Sequence, residues 1–237
     1  MGKRIVSQAR GHGSLTYRVR RKAYIYRIGY PNINAEGDAK ILKLIHSAAH
    51  SAPLLKIQIQ DKNKKIFYNL AFQNAFEGQE IKIGKAEELK DGDIINLKDA
   101  KVGMKVYNIE AAPGDGGKFV RTSGGSALVV KKEKGIVGVL LPSKKIIEFD
   151  GMCRVSVGVI AGAGKLEKPM VKAGKMFHAM KARGRKWHFT SKVKVNAVDH
   201  PFGGGRGKRI KSKIAKRNAP PGRKVGHIRP RQTGRRK

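Results

Sequence analysis

Residues 54–61, LLKIQIQD, alternate between apolar and polar side chains. Leu55, Ile57 and Ile59 fall on one face of an extended chain, and the lysine and glutamines between them fall on the other. This period of two predicts a half-buried β-strand. KIFYNL, residues 65–70, follows the turn-like DKNK, so the two segments together predict a β-hairpin.

The same kind of segment recurs along the middle of the chain, about every 8–12 residues, with Gly and Asp at the joins. The further predicted strands are EIKIG (80–84), DIINL (93–97), KVYNIE (105–110), KFVRTSG (118–124), ALVVKKE (127–133), IVGVLL (136–141), KIIEFD (145–150) and RVSVGVI (154–160). Helical periodicity is almost absent. The exception is a candidate helix at residues 169–182, where Met170, Met176, Phe177 and Met180 would form an apolar stripe.

The fold class is therefore mainly β. Roughly ten strands exceed what one small barrel needs, so we expect two successive barrels. The first, at residues 35–95, is predicted to be an OB-fold barrel, and the second, at residues 96–168, an SH3-like barrel. Long basic extensions are expected to flank them, with residues 1–34 at the N-terminus and residues 169–237 at the C-terminus.

The charge of the chain is extreme and unevenly distributed. Lys and Arg number 52 against 17 acidic residues, for a net charge of +35. Residues 1–30 carry 8 basic and no acidic residues, residues 31–164 a net charge of +5, and residues 165–237 a net charge of +22. Such arms are typical of chains that bind a polyanion and become ordered on it, with counterion release as a driving force. Nucleic acid is the expected partner.

Other partners and locations are disfavoured by the same sequence. An anionic membrane could also attract this charge, but no apolar run reaches 18 residues. The first residues lack the apolar core of a secretory signal, which makes a cytoplasmic location the expectation. Cys153 is the single cysteine, so an internal disulfide and a cysteine-based metal site are excluded.

Two short motifs look like enzyme sites and are better explained otherwise. APGDGGKFVRTSGG, residues 112–125, resembles a phosphate loop, but Phe119 stands where that motif needs Ser or Thr. A glycine-rich turn whose amides meet RNA phosphates, together with Lys118 and Arg121, is the preferred interpretation, and a plain barrel loop is the alternative. His46 and His50 have the spacing of helical metal ligands, but their flanks favour a strand followed by a turn.

Arginines interleave with aromatic residues in two places, YRVRRKAYIYR at residues 17–27 and KARGRKWHF at residues 181–189. Guanidinium groups suit phosphates, and aromatic rings can stack on unpaired bases. Trp187 could instead anchor the preceding helix in a core, and the sequence leaves both roles open. The predicted RNA contacts in these segments are Arg18, Arg20, Arg21, Lys22, Arg183, Arg185, Lys186 and Trp187.

VDHPFGGGRGKR, residues 198–209, places Asp199 and His200 before a proline and three glycines. A carboxylate beside His could fix its tautomer, but no nucleophile or metal cluster accompanies the pair. The glycines permit positive φ and close backbone approach, which favours a loop lying against RNA. We therefore predict no catalytic residue. The predicted RNA contacts of the tail are His200, Gly203, Gly204, Gly205, Arg206, Lys208, Arg209, Arg217, Arg223 and Lys224.

Four segments carry a resemblance to a known family: VDHPFGGGR, RNAPPGRKVGHI (217–228), PGDGGKFVRTSG (113–124) and KAGKMFHAMKARGRKW (172–187). Together they resemble the universal large-subunit ribosomal protein two, the L-two family, along essentially the whole chain. The start GKRIVSQARGHGS and Phe202 after Pro201 are more similar to the archaeal and eukaryotic branch than to the bacterial one. Residues 206–217 depart from the eukaryotic pattern in their density of Lys and Arg.

The resemblance implies a structural constituent of the large ribosomal subunit, built from an OB barrel and an SH3-like barrel. It implies binding to large-subunit rRNA near the peptidyl-transferase region, contact with neighbouring ribosomal proteins, and support of subunit assembly, subunit association and tRNA positioning. Asp199 and His200 would support RNA near that centre without acting as catalysts. No cofactor, membrane or small-molecule substrate is implied, and any structural Mg²⁺ would be held through rRNA. A chromatin-type protein that compacts DNA is the alternative, since it shares the charge.

Overall fold

A computed structural model of the chain describes residues 2–33, 35–61, 64–84, 88–165, 167–205 and 213–231. The chain forms two compact units. The first, which we call the sheet unit, comprises residues 20–183, and the second, the arm unit, comprises residues 1–19 and 184–237.

The sheet unit is built around ten strands. Their bounds are β1 Gly37–Ile45, β2 Leu54–Ile59, β3 Ile66–Leu70, β4 Glu80–Ile83, β5 Ile94–Asn96, β6 Lys105–Tyr107, β7 Ala127–Glu133, β8 Ile136–Leu140, β9 Ile146–Asp150 and β10 Arg154–Val157. They pair in the order β3-β2-β1-β4-β5-β10-β6-β7-β8-β9. The mainly β prediction is confirmed. Among the described strands the ladder runs from β3 to β9 without closing into a barrel by strand pairing.

Two hydrophobic cores lie in the sheet unit, and the central strands contribute to both. Ile94 belongs to the first core and its neighbour Ile95 to the second, while Tyr107 belongs to the first and Val106 to the second. Successive side chains of a strand point to opposite faces, so β5 and β6 separate the cores. The assignment of residues 35–95 and 96–168 to separate barrels stays a prediction, because both sets of strands share one sheet.

The hairpin at residues 54–70 is confirmed: β2 pairs with β3 in antiparallel register, with Ile57 opposite Phe67. The alternation also holds, because Leu55, Ile57 and Ile59 are buried. The predicted strand at residues 118–124 is wrong. There the chain forms turns with one isolated bridge, between Ile109 and Phe119. Val120 adopts a positive φ, and Gly116 and Gly117 turn the backbone just before the segment.

Helices differ from the prediction in extent and in number. The helix expected at residues 169–182 is α2, Ala173–Ala182, with Met170 outside it. None of its residues is buried, and Phe177 is 43% exposed, so the predicted apolar stripe faces no core among the described residues. Short 3₁₀ turns lie at Arg21–Ala23, Leu97–Asp99 and Ala163–Lys165. The strand β1 was not predicted from the sequence, because Lys and exposed Leu residues blur its alternation.

The arm unit contains a helix, α1 Val6–Gly11, and two short strands, β11 Ile214–Ala215 and β12 His227–Ile228, which pair in parallel. Its buried residues include His200, Phe202 and Ala215. Much of its backbone is therefore organised by turns and a few apolar contacts. No helix in the described part of either unit is long and apolar enough to cross a membrane.

Candidate nucleic-acid interface

A groove of about 580 Å³ opens on the sheet unit, and we call it the tyrosine–arginine groove. It brings together one of the Arg-aromatic segments and the glycine-rich segment, which lie about 90 residues apart in the sequence. Its lining residues are Tyr24, Tyr26, Arg27, Ile28, His50, Asp115, Gly117, Lys118 and Arg121. Three cations and one carboxylate leave this surface positively charged.

One wall of the groove is aromatic. The Tyr24 ring meets His50 edge to face, with 4.9 Å between ring centroids. The Tyr24 hydroxyl donates to the Ala49 carbonyl at 3.4 Å, and His50 Nδ1 lies 2.7 Å from Ser47 Oγ. Tyr26 packs against Tyr68 with 4.9 Å between centroids. These contacts orient the rings while Tyr24 keeps 48% of its surface exposed.

The surroundings of His50 favour its neutral form. Burial lowers the pKa of His50 below its usual value, and the nearby positive charge of Arg121 lowers it further. A neutral imidazole adds a flat ring to the wall without adding charge repulsion to Arg121. The weighed metal role of the pair His46 and His50 finds no support, since β1 ends at Ile45 and a loop follows. The described residues contain no cluster of three or more His, Cys, Asp or Glu side chains able to hold a metal ion.

The cationic wall of the groove is ordered by the glycine-rich loop. Arg121 Nη1 donates to the Gly117 carbonyl at 3.0 Å. Asp115 accepts hydrogen bonds from the Gly117 and Ala111 amides at 3.0 Å and pairs with Lys118 Nζ at 3.2 Å. Burial opposes the charge on Asp115, but these donors outweigh it and lower its pKa below the usual value. The carboxylate is therefore ionised and positions Lys118.

A buried ion pair fixes the start of the same loop. Glu110 accepts from the amides of Gly114 and Gly116 at 3.2 and 3.0 Å. Arg154 on β10 pairs with Glu110, with 2.9 Å between Nη2 and Oε1. Arg154 Nη1 also donates to the Pro31 carbonyl at 2.8 Å. The loop that carries Lys118 and Arg121 is thus attached to the sheet at a defined point.

The second region is the loop around His200 in the arm unit. The amides of Asp199 and His200 both donate to the Asn196 carbonyl, at 3.0 and 3.3 Å. Asp199 forms an exposed ion pair with Lys3 at 3.3 Å. The side chain of Asp199 therefore pairs with a lysine of the N-terminal segment, and the proton-relay arrangement with His200 is not present.

The His200 side chain is 5% exposed and has a defined tautomer. The Phe202 amide donates to His200 Nδ1 at 3.1 Å, which requires Nδ1 to be unprotonated. Burial lowers the pKa of His200, and the charge of Lys192 lowers it further. The remaining nitrogen, Nε2, is then a buried N–H donor. Within the described residues no hydrogen-bond partner reaches it.

The three glycines after Phe202 have two different roles. A Cβ on Gly203 would overlap the carbonyls of Val195 and Asn196, so its close backbone approach is to the protein itself. Gly204 and Gly205 are exposed and adopt φ of +77° and +94°. These two, rather than Gly203, offer backbone to a partner.

The remaining predicted RNA contacts divide between the units. Arg20, Arg21, Lys22 and Arg183 are exposed on the sheet unit. The exposed predicted contacts of the arm unit are Arg18, Arg185, Lys186, Arg217, Arg223 and Lys224. Arg206, Lys208 and Arg209 lie outside the described residues. Trp187 is half-buried with its ring 4.5 Å from that of His188, so both roles weighed for it remain open.

Several residues of the groove were not singled out by sequence analysis. Tyr24, Tyr26 and Arg27 lie within the quoted 17–27 segment, and its alternation of rings and cations was their signal. His50 was weighed only as a metal ligand. Glu110 and Arg154, which support the loop without lining the groove, were not identified either, because they lie 44 positions apart and no sequence pattern links them.

Comparison with known proteins gives matches that extend along nearly the whole chain. The family described as Ribosomal Proteins L2, C-terminal domain, matches residues 90–222. The large ribosomal subunit protein uL2 of Archaeoglobus fulgidus is 42% identical over 99% of both chains. The proteins of the same name from Haloarcula marismortui and Methanopyrus kandleri are 40% and 41% identical, each over 99% of this chain and 98% of their own length.

Proposed function

Because this chain belongs to the uL2 family of large ribosomal subunit proteins, we propose that it binds large-subunit rRNA through the tyrosine–arginine groove and the arm unit. It is a structural protein of the large subunit, and its relatives are ribosomal proteins rather than enzymes. The observation that carries the RNA-binding role is the meeting of aromatic and cationic walls in one groove.

The distribution of charge supports different contributions of the two units to RNA binding. The sequence of the arm unit holds 22 basic residues and one acidic residue, a net charge of +21, and the sheet unit carries the other +14. The arm unit thus holds most of the charge on fewer than a third of the residues. Few of the described side chains of the arm unit are buried. The unit therefore becomes ordered when it binds RNA phosphates, and the release of counterions favours that binding.

His200 serves as a support for RNA near the peptidyl-transferase region. Its neutral imidazole is buried and accepts the Phe202 amide, so it holds the loop that presents the exposed Gly204 and Gly205 to RNA. A general base needs the free lone pair that this tautomer lacks at Nε2, while Nδ1 is occupied. We therefore assign the catalysis of peptide-bond formation to RNA and not to His200.

The expected partners are large-subunit rRNA and neighbouring ribosomal proteins, with effects on subunit assembly, subunit association and tRNA positioning passed on through the RNA. The site of action is the ribosome. Mg²⁺ ions in this setting would be bound through rRNA phosphates.

Filter binding to large-subunit rRNA and to duplex DNA of equal phosphate number, at matched salt, tests the proposal. We expect rRNA to bind at least 10-fold more tightly, with a steep fall in log K against log salt concentration. Equal affinity for the two nucleic acids would support a DNA-compacting protein and contradict the proposal.

A further inference from the structure

The tyrosine–arginine groove has the geometry of a site for one nucleotide. Its volume of about 580 Å³ lies in the range of roughly 300–1,000 Å³ that small-molecule sites occupy. The rings of Tyr24 and His50 form one wall, and Lys118 and Arg121 stand on the glycine-rich loop. The groove therefore combines an exposed aromatic ring, that of Tyr24, with cations, and these suit the two parts of a nucleotide, the base and its phosphates.

We propose that the groove holds a single unpaired nucleotide of rRNA, with its base against Tyr24 and His50 and its flanking phosphates against Lys118 and Arg121. The proposal rests on the function proposed above and names the part of the RNA that this site takes. The proposal depends on three features: the concave shape of the groove, the exposure of the Tyr24 ring, and the net positive charge of the residues that line the groove.

An unpaired nucleotide fits this groove better than an RNA duplex. The bases of a duplex are stacked inside the helix, and an A-form major groove is too narrow and deep for side chains to read. A ring such as Tyr24 can reach a base face only where the base has left the stack. The groove therefore selects a bulge, a loop or a chain end.

The cationic wall is preorganised for this role. Arg121 is half-buried and anchored to the Gly117 carbonyl, so little side-chain freedom remains to be lost on binding. Lys118 is 62% exposed and is aimed by Asp115, and a phosphate can take up the remaining donors of its ammonium group. The single carboxylate is saturated by amides and Lys118, so it presents little repulsion to an anion.

The test uses the full chain and large-subunit rRNA of Archaeoglobus fulgidus that carries 4-thiouridine, with near-ultraviolet cross-linking and mass spectrometry of the adducts. We expect adducts on the segment 24–27 or on His50, from nucleotides that are unpaired in the rRNA. Tyr24→Ala should weaken binding between about 5-fold and 150-fold, in line with the loss of one base-stacking contact. Tyr24→Phe, which keeps the ring, should stay within 2-fold.

Phe76→Ala is the matched control, because Phe76 is an exposed ring, 60% exposed, in a loop that does not line the groove. Thermal unfolding of each variant checks that the fold is retained. Tight rRNA binding that Tyr24→Ala leaves unchanged, or groove adducts only from paired nucleotides, would overturn this inference alone. So would a carbodiimide cross-link between Lys118 and an acidic segment of another ribosomal protein in reconstituted subunits. Failure of the wild-type chain to bind rRNA would overturn the proposed function itself.

Discussion

Arg154 and Glu110 form an ion pair that is almost wholly buried, with side chains 7% and 0% exposed. The pair connects three parts of the sheet unit. Arg154 lies on β10 and donates to the Pro31 carbonyl, while Glu110 receives the amides of Gly114 and Gly116. Because these contacts converge on two side chains, the pair determines where the glycine-rich wall of the groove stands.

Glu110→Ala should destabilise the protein by about 3–5 kcal/mol, since it leaves the guanidinium of Arg154 buried without its counter-charge. Urea unfolding followed by circular dichroism measures the change. Glu148→Gln is the matched control, because it removes the partner of Lys131 from an exposed pair on the same sheet unit. We expect no measurable change in stability for the control. Equal effects of the two substitutions would contradict the role given to the buried pair.

The same carboxylate makes stability depend on acid pH. Burial opposes the charge on Glu110, but hydrogen bonds from Arg154, Gly114 and Gly116 outweigh it, and the net pKa of Glu110 is lowered. The unfolded chain then binds its proton at higher pH than the folded chain does. This contribution is complete above the unfolded pKa of about 4.3 and is lost as pH falls through the lower folded pKa.

Urea unfolding between pH 7 and pH 3 tests this prediction. The wild-type free energy of unfolding should fall with pH below the unfolded pKa. Glu110→Gln should start from a lower stability and show a shallower fall, because the titrating group is gone. If the two proteins show the same slope, Glu110 does not contribute to the acid dependence.

Alanine substitutions at two glycines of the sheet unit can distinguish two causes of lost stability, an unfavourable backbone conformation and a steric clash. Gly103 and Gly117 have nearly the same φ, +88° and +90°. A Cβ at Gly103 would meet nothing within 4 Å, while a Cβ at Gly117 would overlap Asn108. Gly103→Ala should cost about 1–2 kcal/mol, the usual penalty of a left-handed residue. Gly117→Ala should cost more.

Gly117→Ala should also weaken rRNA binding, because displacement of the Gly117 carbonyl releases Arg121 from its anchor. Gly103→Ala should leave rRNA affinity unchanged. Unfolding curves and filter binding on the same samples supply both quantities. Loss of affinity in both variants would mean that the glycine-rich loop has no special part in binding.

The sequence predicted the strands whose faces alternate cleanly, such as residues 54–59 and 80–83, because burial of one face follows directly from period two. It failed at residues 118–124. There Val120 itself adopts φ of +51°, which no apolar pattern reveals, and the neighbouring glycines turn the chain. Local pattern predicts a strand only where the backbone is free to extend.

The sequence predicted several residues of the candidate site, but it did not predict that they lie together in one groove. Lys118, Arg121 and the Arg-aromatic segment were identified separately, because charge and ring content are visible in the sequence. Their meeting in one groove depends on long-range contacts, including the parallel bridge between Ile28 and Tyr68. Contacts of this kind form through tertiary packing, and single-sequence periodicity carries no information about them.

The buried ring of His200 should resist protonation. Since Nδ1 accepts the Phe202 amide and the ring is buried, the pKa of His200 should lie below the ordinary value of about 6.5. Carbon-13 NMR of labelled histidine measures it directly. A lowered folded pKa means that the neutral imidazole stabilises the fold above the unfolded pKa, and that this contribution is lost as pH falls through the folded value. A His200 titration at or above 6.5 would contradict the buried neutral tautomer.

Protonation of His200 must also break the bond to Phe202, because imidazolium has no acceptor lone pair. Hydrogen exchange of the Phe202 amide should therefore accelerate, beyond the ordinary effect of pH, once His200 is protonated. His200→Asn is the matched variant, since its side-chain oxygen can accept an amide two residues on and does not titrate. In that variant the acid-dependent loss of protection should disappear. Its persistence would mean that another group opens the loop and that His200 does not maintain the geometry of residues 198–205.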